Sequence, residues 1–306
     1  MIITMPTTTT TAVAKRLIKL REEGGAVALG RVLTLLVVAD ANRADEAIDA
    51  ANVASGEHPC RIIVLSRTTH ADPHALDAEI RVGGDAGASE VVVLHAGERA
   101  MDHADTLVTP LLLPDAPIVA WWPGEPPADP AHDIVGAMAH RRITDAYGAA
   151  DPHAALVQLA GSYSPGDTDL AWTRTTVWRG LIAATLDQPP FEPVRSARVE
   201  GVTGHPSLDL IGAWLAHVLR CPVEIVRTDD APALTRVVLS RRSGDISLSR
   251  PTGKVAILSQ PDQPDHRVAL PIRELHECIA EELRRLDPDE MYGDVLTRGL
   301  AKVASA

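Results

Sequence analysis

"RVLTLLVVAD", Arg31 to Asp40, decides the fold of this chain. Leu33, Leu35 and Val37 are apolar at one parity, Leu36 and Val38 at the other, and Thr34 interrupts the run. A strand that is apolar at both parities needs cover on both faces, as in a parallel sheet whose crossover helices lie on either side. Asp40 stops the strand, and "RADEAIDAANVAS" follows as an Ala-rich helix. The same alternation recurs outward. "CRIIVLS", "SEVVVLHAG" and "PIVAWW" read as further buried strands, "DAEIRVGG" as a shorter edge strand, and "ERAMDHADTLVTPLLL" as helical up to Pro110. Helices alternating with continuous apolar strands predict a layered α/β domain with a mostly parallel sheet.

Before this pattern, the threonines Thr7 to Thr11 read as the end of a loose tail, followed by an amphipathic helix in "AVAKRLIKLREE". After it come a proline-rich loop, a helix over Ala131–Ala139, a short strand in "RRITDAY" and a helix in "PHAALVQLAG". A longer helix is expected from about Leu170 to Leu186. "DQPPFEP", Asp187 to Pro193, breaks the pattern with three prolines and is the expected domain boundary. The predicted division is a flexible tail over 1–11, an N-terminal α/β domain over 12–190 and a C-terminal α+β domain over 191–306. In that second half "DISLSR" alternates strictly, as an antiparallel strand with one wet face does. Turns at Ser243-Gly244-Asp245 and Thr252-Gly253 predict an antiparallel meander, closed by two helices over Arg273–Leu286 and Asp289–Val303.

Charge narrows the partners. Against 41 Asp plus Glu stand 29 Lys plus Arg, a net charge of -12. Such a field repels phosphate backbones and anionic lipids, so neither nucleic acid nor a membrane is expected as a partner. Cys60, Cys221 and Cys278 form no CxxC and no disulfide ladder, which suits a reducing cytoplasm. The N-terminus lacks the charged-then-apolar layout of a signal peptide, so the expected localisation is cytoplasmic.

An α/β layer invites a nucleotide, but the phosphate loops fail. "VGGDAGA", Val82 to Ala88, lacks GxGxxG spacing and joins two strands. "GSYSPGDT" gives Gly161 and Gly166 P-loop spacing, yet Asp167 stands where a phosphate-binding lysine belongs. The histidines form no metal signature, and Ser207 in "GHPSLD" lacks the GxSxG elbow. No catalytic, cofactor or metal residues are expected, and the chain is read as no enzyme.

The aromatics are unevenly placed instead. Trp121, Trp122, Tyr147, Tyr163, Trp172 and Trp178 fall in one stretch, interleaved with Arg141, Arg142, Arg174 and Arg179. Trp, Tyr and Arg dominate binding hot spots because they join large area to few rotors and a polar handle. Trp178, on an apolar helical stripe, reads as core; for Trp122, beside Pro123 at a strand's end, core and surface both stay open.

"GEHPCRIIVL", "VTPLLLPDAPIVAWWPGEPP", "HRRITDAYG" and "LAGSYSPGDTDLAWTRTTVWRGLIAATLD" carry a resemblance as well. From about Arg31 to Asp187 the chain resembles the bacterial glucose-6-phosphate dehydrogenase assembly protein family, OpcA. The resemblance implies a non-catalytic partner of glucose-6-phosphate dehydrogenase that favours its active oligomeric form. Trp121, Trp122, Arg141, Arg142, Trp172, Arg174 and Arg179 are then the expected partner-binding residues, with no cofactor. The alternative is an α/β protein or enzyme that binds a sugar phosphate or nucleotide at its strand ends.

Overall fold

In the computed structural model, which describes residues 1–23, 30–68, 72–82 and 90–303, the run from Leu33 is a strand buried on both faces. The chain divides into two units, Met1–Asp145 with Leu275–Pro288, and Ala146–Glu274 with Asp289–Ala306.

The first unit opens with β1 (Ile2–Met5) and α1 (Thr10–Glu23). Then follow β2 (Leu33–Asp40), α2 (Ala41–Ala54), β3 (Cys60–Arg67), β4 (Leu76–Arg81) and β5 (Glu90–Ala96). Two short helices, α3 (Glu98–Met101) and α4 (Ala104–Val108), lead to β6 (Ile118–Trp122) and β7 (Arg141–Thr144). The strand order is β1-β4-β5-β3-β2-β6-β7. β5, β3, β2, β6 and β7 run parallel, while β4 is antiparallel to β5 and β1 to β4. Because both faces are covered, Leu35, Leu36, Val37, Ile62, Ile63, Val64 and Leu65 are all wholly buried. Each such side chain contributes about 1.5–3 kcal/mol of transfer free energy.

Three expectations are corrected here. The opening residues are no loose tail: Ile2–Met5 pair with Ala78–Arg81, and the Met1 ammonium donates to the Val82 carbonyl. β4 is therefore flanked on both sides rather than lying at the edge. The expected helix over 131–139 is a set of turns with one 3₁₀ turn, Gly136–Met138. There Asp133 Oδ1 accepts from the Val135 and Gly136 amides, a local bond that competes with helical pairing. The glycine-rich "VGGDAGA" after Val82 lies outside the described residues, as does His70.

The second unit begins with α5 (Pro152–Ser162), started by Pro152 at its first position and by Asp151, which accepts from the Ala154 amide. After β8 (Asp167–Asp169), the expected long helix is two, α6 (Leu170–Thr173) and α7 (Thr176–Leu186), parted at Arg174-Thr175. β9 (Ser196–Val202), α8 (Pro206–Leu219) and β10 (Val223–Thr228) form a β-α-β crossover, so β10 lies parallel to β9. β11 (Leu234–Arg241), β12 (Gly244–Ser249), β13 (Val255–Ser259) and β14 (His266–Ala269) complete the antiparallel meander. The sheet reads β10-β9-β11-β12-β13-β14. The turn into β12 needs a positive φ, which Gly244 supplies at +125°.

α9 (Leu275–Arg284) returns to the first unit, where it packs on α2. Arg141 binds Glu282 through both Nε and Nη2, and its Nη1 donates to the Asp287 carbonyl at 2.8 Å. This buried pair ties β7 to the returning segment. α10 (Glu290–Asp294) and a π turn over Val295–Gly299 close the second unit. The units thus part after Asp145 and exchange a segment at 275–288, whereas the proline cluster at 187–193 lies inside the second unit.

Candidate functional site

Two places were open to a function: the strand ends of the first unit and the signature segment of the second. In the first unit the chain runs from β2 through β3 to β5 in one direction, then to β6 and β7 in the other. The switch point lies between β2 and β6, the crevice where doubly wound sheets hold ligands. Here β2 ends at Asp40, which N-caps α2, and no glycine loop separates strand from helix. Arg43, from the first turn of α2, reaches across and donates through Nη1 to the Pro123 carbonyl at 3.3 Å. The backbone at Gly124 faces the same side chain, since a Cβ there would meet Arg43 Cδ at 3.4 Å. The crevice mouth is thus bridged by a guanidinium.

Beneath that bridge sit the paired tryptophans of β6. Trp121 is wholly buried and Trp122 is 4% exposed, so the strand turns one ring to each covered face. The proline-rich loop folds back over Trp122. A Cβ on Gly136 would overlap the Pro130 carbonyl and come within 3.1 Å of the Trp122 ring. Only a glycine fits between them. Arg141 is held by Glu282, and Arg142 Nη1 donates to the Ala139 carbonyl at 3.1 Å.

The second unit uses its polar residues differently. Asp169, wholly buried, accepts from the Ala171 amide at 2.8 Å through Oδ1 and from the Ala146 amide at 2.9 Å through Oδ2. It caps α6 and fastens the start of the unit to it. Asp167 accepts from the Ser164 amide at 2.7 Å across the turn that Gly166 makes at φ +99°. That aspartate, which spoils a P-loop, is a turn clamp. Trp172 follows on α6, 1% exposed, and its Nε1 donates to Asp289 Oδ2 at 2.8 Å. Asp289 Oδ1 in turn accepts from the Tyr292 amide, capping α10. Tyr292 lies 6.0 Å from Trp172 and 6.1 Å from Tyr163, ring centre to ring centre. The half-buried Arg179 stacks its guanidinium 3.4 Å from the Trp172 centroid and donates to Thr175 Oγ1 and Thr176 Oγ1. A stacked, partly desolvated guanidinium contributes on the order of 1–2 kcal/mol.

This nest reaches the surface at Tyr147, which is 54% exposed. Arg174 lies over its ring at 5.5 Å, and the His205 ring is 5.0 Å away. His205 is fixed as the N-cap of α8, accepting from the Ser207 amide, while Ser207 Oγ donates to the Ala171 carbonyl. An exposed tyrosine braced by a cation and a buried ring has little rotamer freedom.

The seven residues expected to bind a partner are therefore divided. Trp121, Trp122, Arg141 and Arg142 lie in the first unit, and Trp172, Arg174 and Arg179 in the second. Trp121, Trp122, Trp172, Arg141 and Arg142 are buried and offer no contact area in this conformation. Arg174 and Arg179 are half-buried and reach the surface. Sequence reasoning missed Arg43, Asp169, His205 and Asp289. Asp169 and Asp289, each an aspartate directly before a helix, carried a readable signal.

The cysteines are all buried and none is in a disulfide; burial pushes the Cys221 thiol above its ordinary value. Among the described residues no group of three or more His, Cys, Asp or Glu could hold a metal ion, and no helix is long and apolar enough to cross a membrane.

Fold and site together define a doubly wound layer with a bridged switch point, joined to an α+β unit organised around a buried carboxylate–aromatic nest. Two domain families match this chain: the glucose-6-phosphate dehydrogenase subunit N-terminal domain over residues 51–161, and the C-terminal domain of the same subunit over residues 165–296. The chain belongs to this OpcA family. Over 150 residues, or 45% of its length, it is 26% identical to an OxPP cycle protein OpcA of Synechocystis sp.. That match spans 31% of the cyanobacterial protein. Among solved structures, an oxidoreductase from Magnetospirillum magnetotacticum aligns with a TM-score of 0.45 at 12% identity, covering 89% of this chain and 99% of that one. An NAD-binding oxidoreductase from Klebsiella pneumoniae aligns at 0.43 and 10% identity, covering 90% and 96%. Superpositions this loose carry no argument about activity.

Proposed function

We propose that this chain is a non-catalytic partner of glucose-6-phosphate dehydrogenase that binds it and favours its active oligomeric form, supporting the oxidative pentose phosphate pathway and NADPH supply. The observation that carries the reading is the match of two dehydrogenase-subunit domain families to successive parts of the chain. The physical mechanism is linkage: a protein that binds the active form better than the inactive one shifts the population toward it. A tenfold rise in a population-limited activity needs a differential affinity of only about 1.4 kcal/mol. We place part of the contact on Tyr147 and Arg174, with Arg179, because these are hot-spot residue types of the signature segments that reach solvent.

The test is dehydrogenase activity with and without an equimolar amount of the purified protein, followed by sizing of the mixture. Higher activity with a larger co-eluting species supports the reading; no change in either counts against it. Tyr147→Ala is expected to weaken binding about tenfold or more while leaving the thermal midpoint within a degree or two, as an exposed hot-spot residue does. The doubly wound layer favours a second reading, small-ligand binding at the strand ends. Arg43 lying across the crevice opposes it. A rise in melting temperature with glucose 6-phosphate, NADP or ATP alone, in the absence of any partner, would restore that reading.

A further inference from the structure

The two edges of the second sheet are not alike. β14 is four residues long and presents exposed His266 and Arg267, the short and charged design that discourages strand addition. β10 is six residues long. The Ala197 amide donates to the Pro222 carbonyl and the Thr203 amide to the Thr228 carbonyl. In a parallel ladder alternate residues bond to the same neighbour, so 222, 224, 226 and 228 face β9. The backbone groups of Val223, Ile225 and Arg227 then point away from the sheet; none of these three is a proline, and the one charged side chain among them, Arg227, is tied to Asp209.

A cleft of about 680 Å³ lies along this strand, lined by β10, the turn at Thr203-Gly204, Asp209 of α8 and Asp151-Pro152-His153 at the start of α5. Val223, Ile225 and Arg227 turn their side chains toward α8. A Cβ on Gly212 would touch Ile225 and Val223, and Arg227 Nη2 donates to Asp209 at 2.7 Å. His153 Nδ1 sits 3.1 Å from the same carboxylate, which is 5% exposed. On the α8 face the lining holds two carboxylates, Asp151 and Asp209, beside the guanidinium of Arg227 and the half-exposed His153, while Glu224 lies at the opposite parity of β10 and reaches Arg198. With the whole chain at -12, a phosphate would meet repulsion there and a cation attraction.

We propose that the cleft beside β10 receives an extended peptide segment bearing lysine or arginine, which adds to β10 as a further strand. Its backbone pairs with the outward groups of Val223, Ile225 and Arg227. Its alternate side chains, on the α8 face, enter the cleft, where Asp151 and Asp209 meet a basic group. Main-chain pairing supplies affinity and the acidic cleft selects the side chain.

The probe is a dye-labelled octapeptide of alternating valine and lysine, titrated by fluorescence anisotropy into the full chain. A valine–glutamate octapeptide is the control. The lysine peptide is expected to bind at least about tenfold more tightly than the control, given like-charge repulsion of the latter. Its binding is expected to slow hydrogen exchange at the Val223, Ile225 and Arg227 amides. Ile225→Pro removes an outward N–H without taking a bond from β9 and abolishes binding. Asp151→Asn, at an exposed residue, keeps an N-cap acceptor for α5 while removing a charge from the cleft, and weakens binding about threefold or more. Equal binding of both peptides, no binding of the lysine peptide, or full binding by Asp151→Asn overturns the proposal. The assay contains no dehydrogenase, so its outcome is independent of the partner proposed above.

Discussion

The strand end of the first unit and the signature nest of the second both bury tryptophan, and they hold it by opposite means. Trp121 sits in β6 with its Nε1 buried and without a hydrogen-bond partner among the described residues. Shape and apolar contact keep it there. Trp172 is just as buried, yet its Nε1 is spent on Asp289 and its face on Arg179. The first is packing; the second is the keystone of a network that also caps α10. Burial alone does not say what a tryptophan does, because a partnered N–H couples the ring to charges that a bare one never feels.

The largest effect expected from this contrast lies in the charges. Glu282→Gln breaks the buried pair with Arg141 in the first unit and is expected to cost about 3–5 kcal/mol, because an uncompensated guanidinium stays buried. Replacing both residues by apolar ones of similar volume should recover most of the loss in chemical denaturation. A double variant as unstable as the single one would show that the pair is needed for more than mutual neutralisation.

Next in size is a matched pair of substitutions. Trp121→Phe and Trp172→Phe remove similar volume, but the second also takes the indole donor from Asp289 Oδ2. Trp172→Phe should therefore cost about 1.5–3 kcal/mol more, the worth of a hydrogen bond to a charged group. Equal losses by urea titration would break the distinction between packing and network. Gly136→Ala probes the packed side separately. Its methyl must push the Pro130 carbonyl off Trp122, at about 1–3 kcal/mol.

Smaller effects follow at the surface. With burial raising the Cys221 thiol and covering Cys60 and Cys278, native protein at pH 8 should resist alkylation that unfolded protein undergoes at three sites. Fast labelling of any of them in the native state would expose a route that the closed packing denies. The smallest effect lies in the proline loop. The Ser243 side chain and amide hold Glu192 below its ordinary value of 4.5, and the nearby Arg241 charge adds to this. A depressed carboxylate gives stability that is present above the unfolded value and lost as pH falls through the folded one. The Ser243 amide resonance should thus titrate with a midpoint below 4.5 and stop doing so in Glu192→Gln.

Much of the fold was legible because burial on two faces leaves a mark in one strand. β2, β3, β5 and β6 each read as continuous apolar runs, and β12 as a strict alternation. The failures share a cause. Ile2–Met5 looks like a tail because an edge strand only half covered needs no apolar run, and its partner β4 lies more than seventy residues away. Residues 131–139 look helical because local spacing cannot show that Gly136 must pass between Pro130 and Trp122. The division of the units was hidden in the same way, since α9 belongs to the first unit through Arg141, which binds its Glu282, and through α2, both distant in sequence.

By itself, then, the sequence determined the class of layer, the absence of a glycine phosphate loop between β2 and α2, and the acidic field that sets which partners approach. Family membership was legible too, in segments such as "LAGSYSPGDTDLAWTRTTVWRG". What only the tertiary structure decided is which of those signature residues meet solvent. Tyr147 and Arg174 reach it while Trp121, Trp122 and Trp172 do not. Exposure is a sum over every segment that packs on a residue, and no local pattern carries that sum.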